Sequence, residues 1–110
     1  MMESYTLDTS DVLDRLRAVG INCRPNLDIA DHQVIIPTEG MPITLERKRH
    51  HDRGPYRYGS NGGWDSPWTI EHRGTTIPMW AGWVARVKVV VAWEASMEAQ
   101  RLRVVREAAG

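Results

Sequence analysis

The stretch from residue 83 to residue 109 contains neither glycine nor proline, so no residue in it interrupts a long regular element. Large side chains recur in it every seven residues, and the neighbouring row repeats that spacing with a single acidic member. Such a double row is typical of one face of a helix. The rows are Trp83, Val90, Met97 and Val104, and Val84, Val91, Glu98 and Val105.

The first part of this stretch also fits a strand, because it is rich in β-branched valine. From Glu94 onward the sequence is dominated by strong helix formers, which indicates a helix. We therefore predict a long C-terminal helix over residues 79–108 and keep a strand over residues 79–93 as the alternative. One face of that strand would carry Trp83, Ala85, Val87, Val89, Val91 and Trp93.

The N-terminal part of the chain begins with a second predicted helix, over residues 9–20. Its apolar residues share one face, and Thr9 or Ser10 can cap its first turn. Gly20 suits the left-handed position that follows a last helical turn. The pattern therefore predicts a short amphipathic helix that packs against the rest of the domain.

Between the two helices the spacing of apolar residues changes to that of strands. Residues 21–48 and 68–77 alternate polar and apolar side chains between turn residues, which indicates short antiparallel strands. Residues 47–67 form a long basic and glycine-rich loop. We predict an α+β fold in a single domain over residues 1–110. Its elements are an N-terminal helix, a small antiparallel sheet of three to five strands with the helices on one face, and a long C-terminal helix, in the order α-β-β-β-β-α.

Charge and cysteine content narrow the classes of protein. The chain has 14 basic and 14 acidic residues and a net charge of zero, which argues against a polycation. Its one cysteine, Cys23, cannot form an internal disulfide, and the N-terminus lacks the pattern of a signal peptide. Arg86 and Lys88 interrupt the most apolar window, residues 77–95, which argues against a membrane span. We expect a cytoplasmic protein without a membrane partner.

The sequence contains no pattern that predicts catalysis or metal binding. It has no nucleophile motif and no phosphate-binding loop. Adjacent histidines on an extended segment point to opposite faces and would not easily share one ion. We therefore predict no enzyme, no catalytic residue, no cofactor and no metal site. The rejected metal cluster would comprise His32, His50, His51, Asp52 and His72.

The basic loop suggests one alternative function. Cations that contact phosphates, next to rings that stack on bases, are what single-stranded nucleic acid requires. The zero net charge argues against this role, because most nucleic-acid-binding domains have a basic excess. The residues of this alternative are Arg47, Lys48, Arg49, Arg53, Tyr56, Arg57 and Tyr58.

The long helix suggests the function that we favour. It would be about 45 Å long at 1.5 Å per residue, whereas a domain of this size is only about 30 Å across. It would therefore extend beyond its own domain and carry its apolar stripe to a partner, unless that stripe only covers the sheet. We expect a non-enzymatic protein-interaction module that forms a homodimer or binds another protein, as is common among accessory proteins of phages and mobile elements. The expected protein-binding residues are Trp64, Trp68, Trp80, Trp83, Val90, Trp93 and Met97.

Overall fold

The computed structural model describes residues 7–28, 32–47 and 67–109, and it confirms the predicted α+β fold. The five strands form one antiparallel sheet in which spatial neighbours are also neighbours in sequence, in the order β1-β2-β3-β4-β5. The elements are α1 (Thr9–Ala18), β1 (Arg24–Pro25), β2 (His32–Ile36), β3 (Ile43–Arg47), β4 (Thr69–His72), β5 (Thr75–Pro78) and α2 (Trp83–Ala109).

The ends of α1 follow capping rules, with one correction to the sequence prediction. The N-cap is Asp8 and not Thr9 or Ser10, because Asp8 and Asp11 form a reciprocal capping box in which each carboxylate accepts the other's backbone N–H. At the other end Gly20 has a φ of 81°, as predicted. The next residue, Ile21, is buried and donates its N–H to the Leu16 carbonyl at 3.0 Å, which completes a Schellman motif.

The sheet presents one apolar face because buried residues alternate along its strands and match across them. In the register, Val34 pairs with Leu45, Leu45 with Ile70, and Ile70 with Ile77. The two outer strands are short, and each ends in a proline, Pro25 in β1 and Pro78 in β5. The predicted small antiparallel sheet is therefore confirmed, with five strands.

Both helices pack on the apolar face of the sheet and share one core. The buried face of α1 contributes Val12 and Leu16, and that of α2 contributes Trp83 and Val87. Trp68, just before β4, is fully buried in the same core. Its indole N–H donates to the backbone carbonyl of Leu7, the first described residue, at 2.9 Å. This core holds the first half of α2 against the sheet.

The stretch from Trp83 to Ala109 is a single helix, so the helical prediction is confirmed over the strand alternative. The helix starts four residues later than the predicted residue 79, because Gly82 has a φ of 83° and stands in a turn. Its 27 residues extend about 40 Å at 1.5 Å per residue. In the described ranges, no helix combines the length of a bilayer span with a sufficiently apolar window.

Candidate functional site

A groove of about 460 Å³ lies between α2 and the β3–β5 part of the sheet. Its apolar surface comes from the sheet residues Ile43, Ile70 and Ile77 and from the α2 residues Val90 and Trp93. The groove exists because α2 packs tightly on the sheet only near Trp83 and Val87. Farther along the helix, Glu94 contacts the sheet through hydrogen bonds and not through apolar packing. It is larger than the adjoining pocket of about 120 Å³ at the start of α2.

The polar residues of the groove are His72 and Arg73 from the β4–β5 hairpin, Thr75 from β5 and Arg86 from α2. Within the described part of the chain, no acidic side chain lines it. A mostly apolar groove with a few polar groups is the general form of small-molecule and peptide sites. The sign of its charged groups favours an anionic partner over a cationic one.

One boundary of the groove is fixed by a buried carboxylate, that of Glu94, which is only 1% exposed. Arg73 donates to it twice, from Nε at 2.7 Å and from a terminal nitrogen at 3.0 Å. The Met41 backbone N–H donates at 3.0 Å, and His72 Nε2 bonds to the second carboxylate oxygen. We call Met41, His72, Arg73 and Glu94 the Glu94 cluster. It connects α2 to the β4–β5 hairpin and to the turn before β3.

The electrostatics of the cluster keep Glu94 ionised. The pKa of Glu94 is lowered to about 2, mainly because its carboxylate is hydrogen-bonded to the Arg73 guanidinium. Burial of the carboxylate acts in the opposite direction and raises the pKa, while the hydrogen bonds from His72 and Met41 lower it further. The same contact raises the pKa of Arg73. A carboxylate that is ionised, buried and fully occupied by protein donors is suited to hold structure and is not free to act as a general base.

The depressed pKa of Glu94 predicts a specific loss of stability in acid. Its ordinary pKa is 4.5 and its pKa in the folded protein is about 2, so the folded state binds the proton less readily. This carboxylate therefore stabilises the fold fully above pH 4.5, and its contribution is lost as the pH falls towards 2. We expect Glu94→Gln to remove this component when urea unfolding is measured over that range. Equal pH dependence in the two proteins would contradict the assignment.

The backbone of the β4–β5 turn places Arg73 in the cluster. Arg73 and Gly74 form its two central residues, with φ values of 53° and 82°. Both positive values are typical of a type I′ hairpin turn, which glycine or asparagine usually fills. An arginine in the left-handed region costs backbone energy. We interpret its presence as a consequence of the bidentate contact that its side chain makes with Glu94.

Trp93 forms the outer wall of the groove and contacts the same hairpin. The Arg73 guanidinium carbon lies 5.2 Å from the centre of a Trp93 ring, and the His72 ring meets it edge-on at 6.0 Å. Even so, Trp93 is 44% exposed. The indole is therefore held in place by cation–π and edge contacts while much of its apolar surface faces solvent.

A second surface is the end of α2. We define the projecting segment as residues 99–109, in which every side chain is exposed. It includes three large apolar residues, of which Val104 is 63% exposed. Seven and eleven residues after the buried Glu94, positions 101 and 105 continue the face that packs on the sheet. The sheet-facing side of α2 therefore continues uncovered beyond the sheet. The three apolar residues are Leu102, Val104 and Val105.

The tryptophans that were predicted to bind protein differ in how far they are buried. Trp68 and Trp83 are buried in the core, and we leave them out of the binding surface. Trp80 is 71% exposed beside the first turn of α2, and Trp93 lies on the groove. Trp64 lies outside the described residues. Of the two remaining predicted residues, Val90 is partly buried in the groove. Met97 is exposed just before the projecting segment.

Of the residues predicted for nucleic-acid binding, the structure describes only Arg47. It is buried at the end of β3 and donates to the Leu7 carbonyl at 3.3 Å, so its guanidinium has a structural contact. Lys48, Arg49, Arg53, Tyr56, Arg57 and Tyr58 lie outside the described residues, as does the loop that contains them.

Two of the four histidines, His32 and His72, lie among the described residues. His32 contacts Thr9 Oγ1 at 2.6 Å and packs against Trp68, and His72 belongs to the Glu94 cluster. Among the described residues, no group of three potential ligands could hold a metal ion.

Glu94 was not predicted as a site residue and was noted only as the start of the helix-forming stretch. A signal was available, because Glu94 follows Trp83 and Val87 at helical spacing and so lies on the face that packs on the sheet. An acid on such a face needs a buried partner. Its partners, the hairpin turn and Met41, are too distant in sequence to be identified from spacing.

Comparison with known proteins gives no functional guide: no family model matches the chain, and no curated protein or solved structure shows significant similarity to it.

Proposed function

We propose that this protein is a non-enzymatic interaction module, acting in the cytoplasm, whose binding element is the end of α2 and whose first partner is a second copy of itself. The observation that carries the proposal is the projecting segment, in which Leu102, Val104 and Val105 are all exposed. A helix of about this length is marginal in water when nothing packs against it. A partner helix would both cover its apolar side chains and stabilise its last turns.

Two features favour a second copy as the partner. Met97 and Val104 carry the seven-residue spacing of α2 into the projecting segment, and such spacing suits the pairing of two helices. The same stripe on two copies can form a symmetric interface, which is the commonest kind of homodimer contact.

The charges at this end of α2 are compatible with self-pairing. Glu98 is bonded to Arg101 on the same helix, with a shortest distance of 2.6 Å. The charged residues that remain beyond this pair are Arg103, Arg106 and Glu107, with a net charge of +1. Two copies would therefore repel each other only weakly at physiological salt.

We expect light scattering to give a molar mass near twice the chain mass of 12.5 kDa at micromolar concentrations. Replacing both Leu102 and Val105 by glutamate should shift the protein to monomer, because the interface would then bury unpaired charges. The matched control carries two glutamates on the face of α2 away from Leu102 and Val105 and outside the projecting segment, Ala92→Glu with Ser96→Glu, and should remain dimeric. A wild-type monomer at all concentrations, or equal dissociation in the control, would refute self-association through this surface.

A further inference from the structure

The groove beside the Glu94 cluster has the properties of a ligand site in its own right. Its volume of about 460 Å³ falls within the range of small-molecule pockets, and most of its surface is apolar. Its polar boundary is already organised, because His72 and Arg73 are bonded to Glu94. A ligand would therefore not have to order these side chains on binding.

Arg86 gives the groove a charge that is available to a ligand. It lines the groove and also an adjoining pocket of about 120 Å³, so its side chain stands where the two meet. Among residues 7–28, 32–47 and 67–109, no side chain forms a hydrogen bond or ion pair with its guanidinium, whereas the guanidinium of Arg73 is bonded to Glu94.

The position of Arg86 in α2 is unfavourable for the helix itself. It lies near the start of α2, where the first turn contains no acidic residue and the helix dipole favours negative charge. A basic side chain and a helix start both raise the local positive potential, and here they adjoin an apolar groove. A bound anion would relieve this repulsion.

We propose that the groove binds an anionic amphiphile, with its apolar chain between β4–β5 and α2 and its carboxylate on Arg86. The apolar chain would contact Ile70, Ile77, Val90 and Trp93. The guanidinium can form two parallel hydrogen bonds with a carboxylate, which a neutral head group cannot match in strength. The inference is independent of self-association, because no residue of the projecting segment lines the groove.

The test is a titration of isotope-labelled protein with three probes of equal chain length: octanoate, octan-1-ol and octylammonium. Binding is followed by NMR at the indole N–H of Trp93, which is assigned with a Trp93→Phe variant. We expect octanoate to bind about tenfold more tightly than octan-1-ol, since a charge-assisted hydrogen bond adds about that factor. Octylammonium should bind most weakly.

Two variants with the same loss of charge identify the anion contact. Arg86→Gln should weaken octanoate about tenfold and leave octan-1-ol unchanged. Lys88→Gln, on the same helix but outside the groove, should leave both unchanged. Octanol binding as tightly as octanoate, equal effects of the two variants, or no octanoate binding would overturn the proposal. A Trp93 indole signal that shifts with protein concentration but not with octanoate would also overturn it, because the occupant of the groove would then be a second copy.

Discussion

Replacing Glu94 by alanine is expected to lower the free energy of unfolding by about 2–3 kcal/mol, because the fold loses charge-assisted hydrogen bonds to a buried acceptor. The cost lies below that of breaking a fully buried pair, since Arg73 and His72 keep partial access to water and can be rehydrated. Urea unfolding followed by circular dichroism measures the effect.

The matched control for this variant is Glu98→Ala, one turn further along the same helix. Glu98 bonds to Arg101 at the surface, and such pairs contribute little to stability. We expect its urea midpoint to stay close to that of the wild type. Equal destabilisation by the two variants would mean that the Glu94 cluster is no more than another surface ion pair.

Gly40→Ala is expected to lower the free energy of unfolding by about 2 kcal/mol because it disturbs the Glu94 cluster. A cost of this size lies within the range of interaction energies measured between residues in contact. A Cβ atom at this position would lie far closer to Glu94 Oε1 than contact distance. The carboxylate would have to move, and it cannot do so without losing its bonds to Arg73 and Met41. The requirement for glycine here comes from space and not from backbone conformation.

A double-mutant cycle tests that explanation. When Glu94→Ala has already removed the carboxylate, Gly40→Ala should cost little, because nothing remains for the new methyl group to displace. The free energies of unfolding of the wild type, the two single variants and the double variant give the coupling directly. Additive costs would show that Gly40 is required for a reason other than Glu94.

Most of the fold could be predicted from the sequence because local patterns specify it. The seven-residue spacing identified α2, and Gly20 marked the end of α1. The alternation of residues 68–77 indicated strands, and the structure shows two of them there, joined by a tight hairpin turn at Arg73 and Gly74. These signals depend on residues close together in the chain, where spacing and backbone preference carry the information.

The candidate site was less predictable because its contacts join distant parts of the chain. Met41 and Glu94 are separated by 53 residues, and no periodicity relates them. The tryptophans show the same limit: composition identified them as large apolar groups, but tertiary packing decided that Trp68 is buried and Trp80 exposed. Sequence spacing could place residues on faces of α2 but could not show which part of each face the sheet covers.

The prolines at the two outer strands have a consequence for how the molecule can associate. An unprotected sheet edge invites the addition of a further strand and, with it, aggregation. Here Pro25 and Pro78 each remove a backbone donor from an edge, and β1 has only two residues to offer. Edge-to-edge growth of the sheet is thus discouraged on both sides. The self-association proposed above would use side chains of α2 instead, and a two-fold contact of that kind closes on itself and does not propagate into fibres.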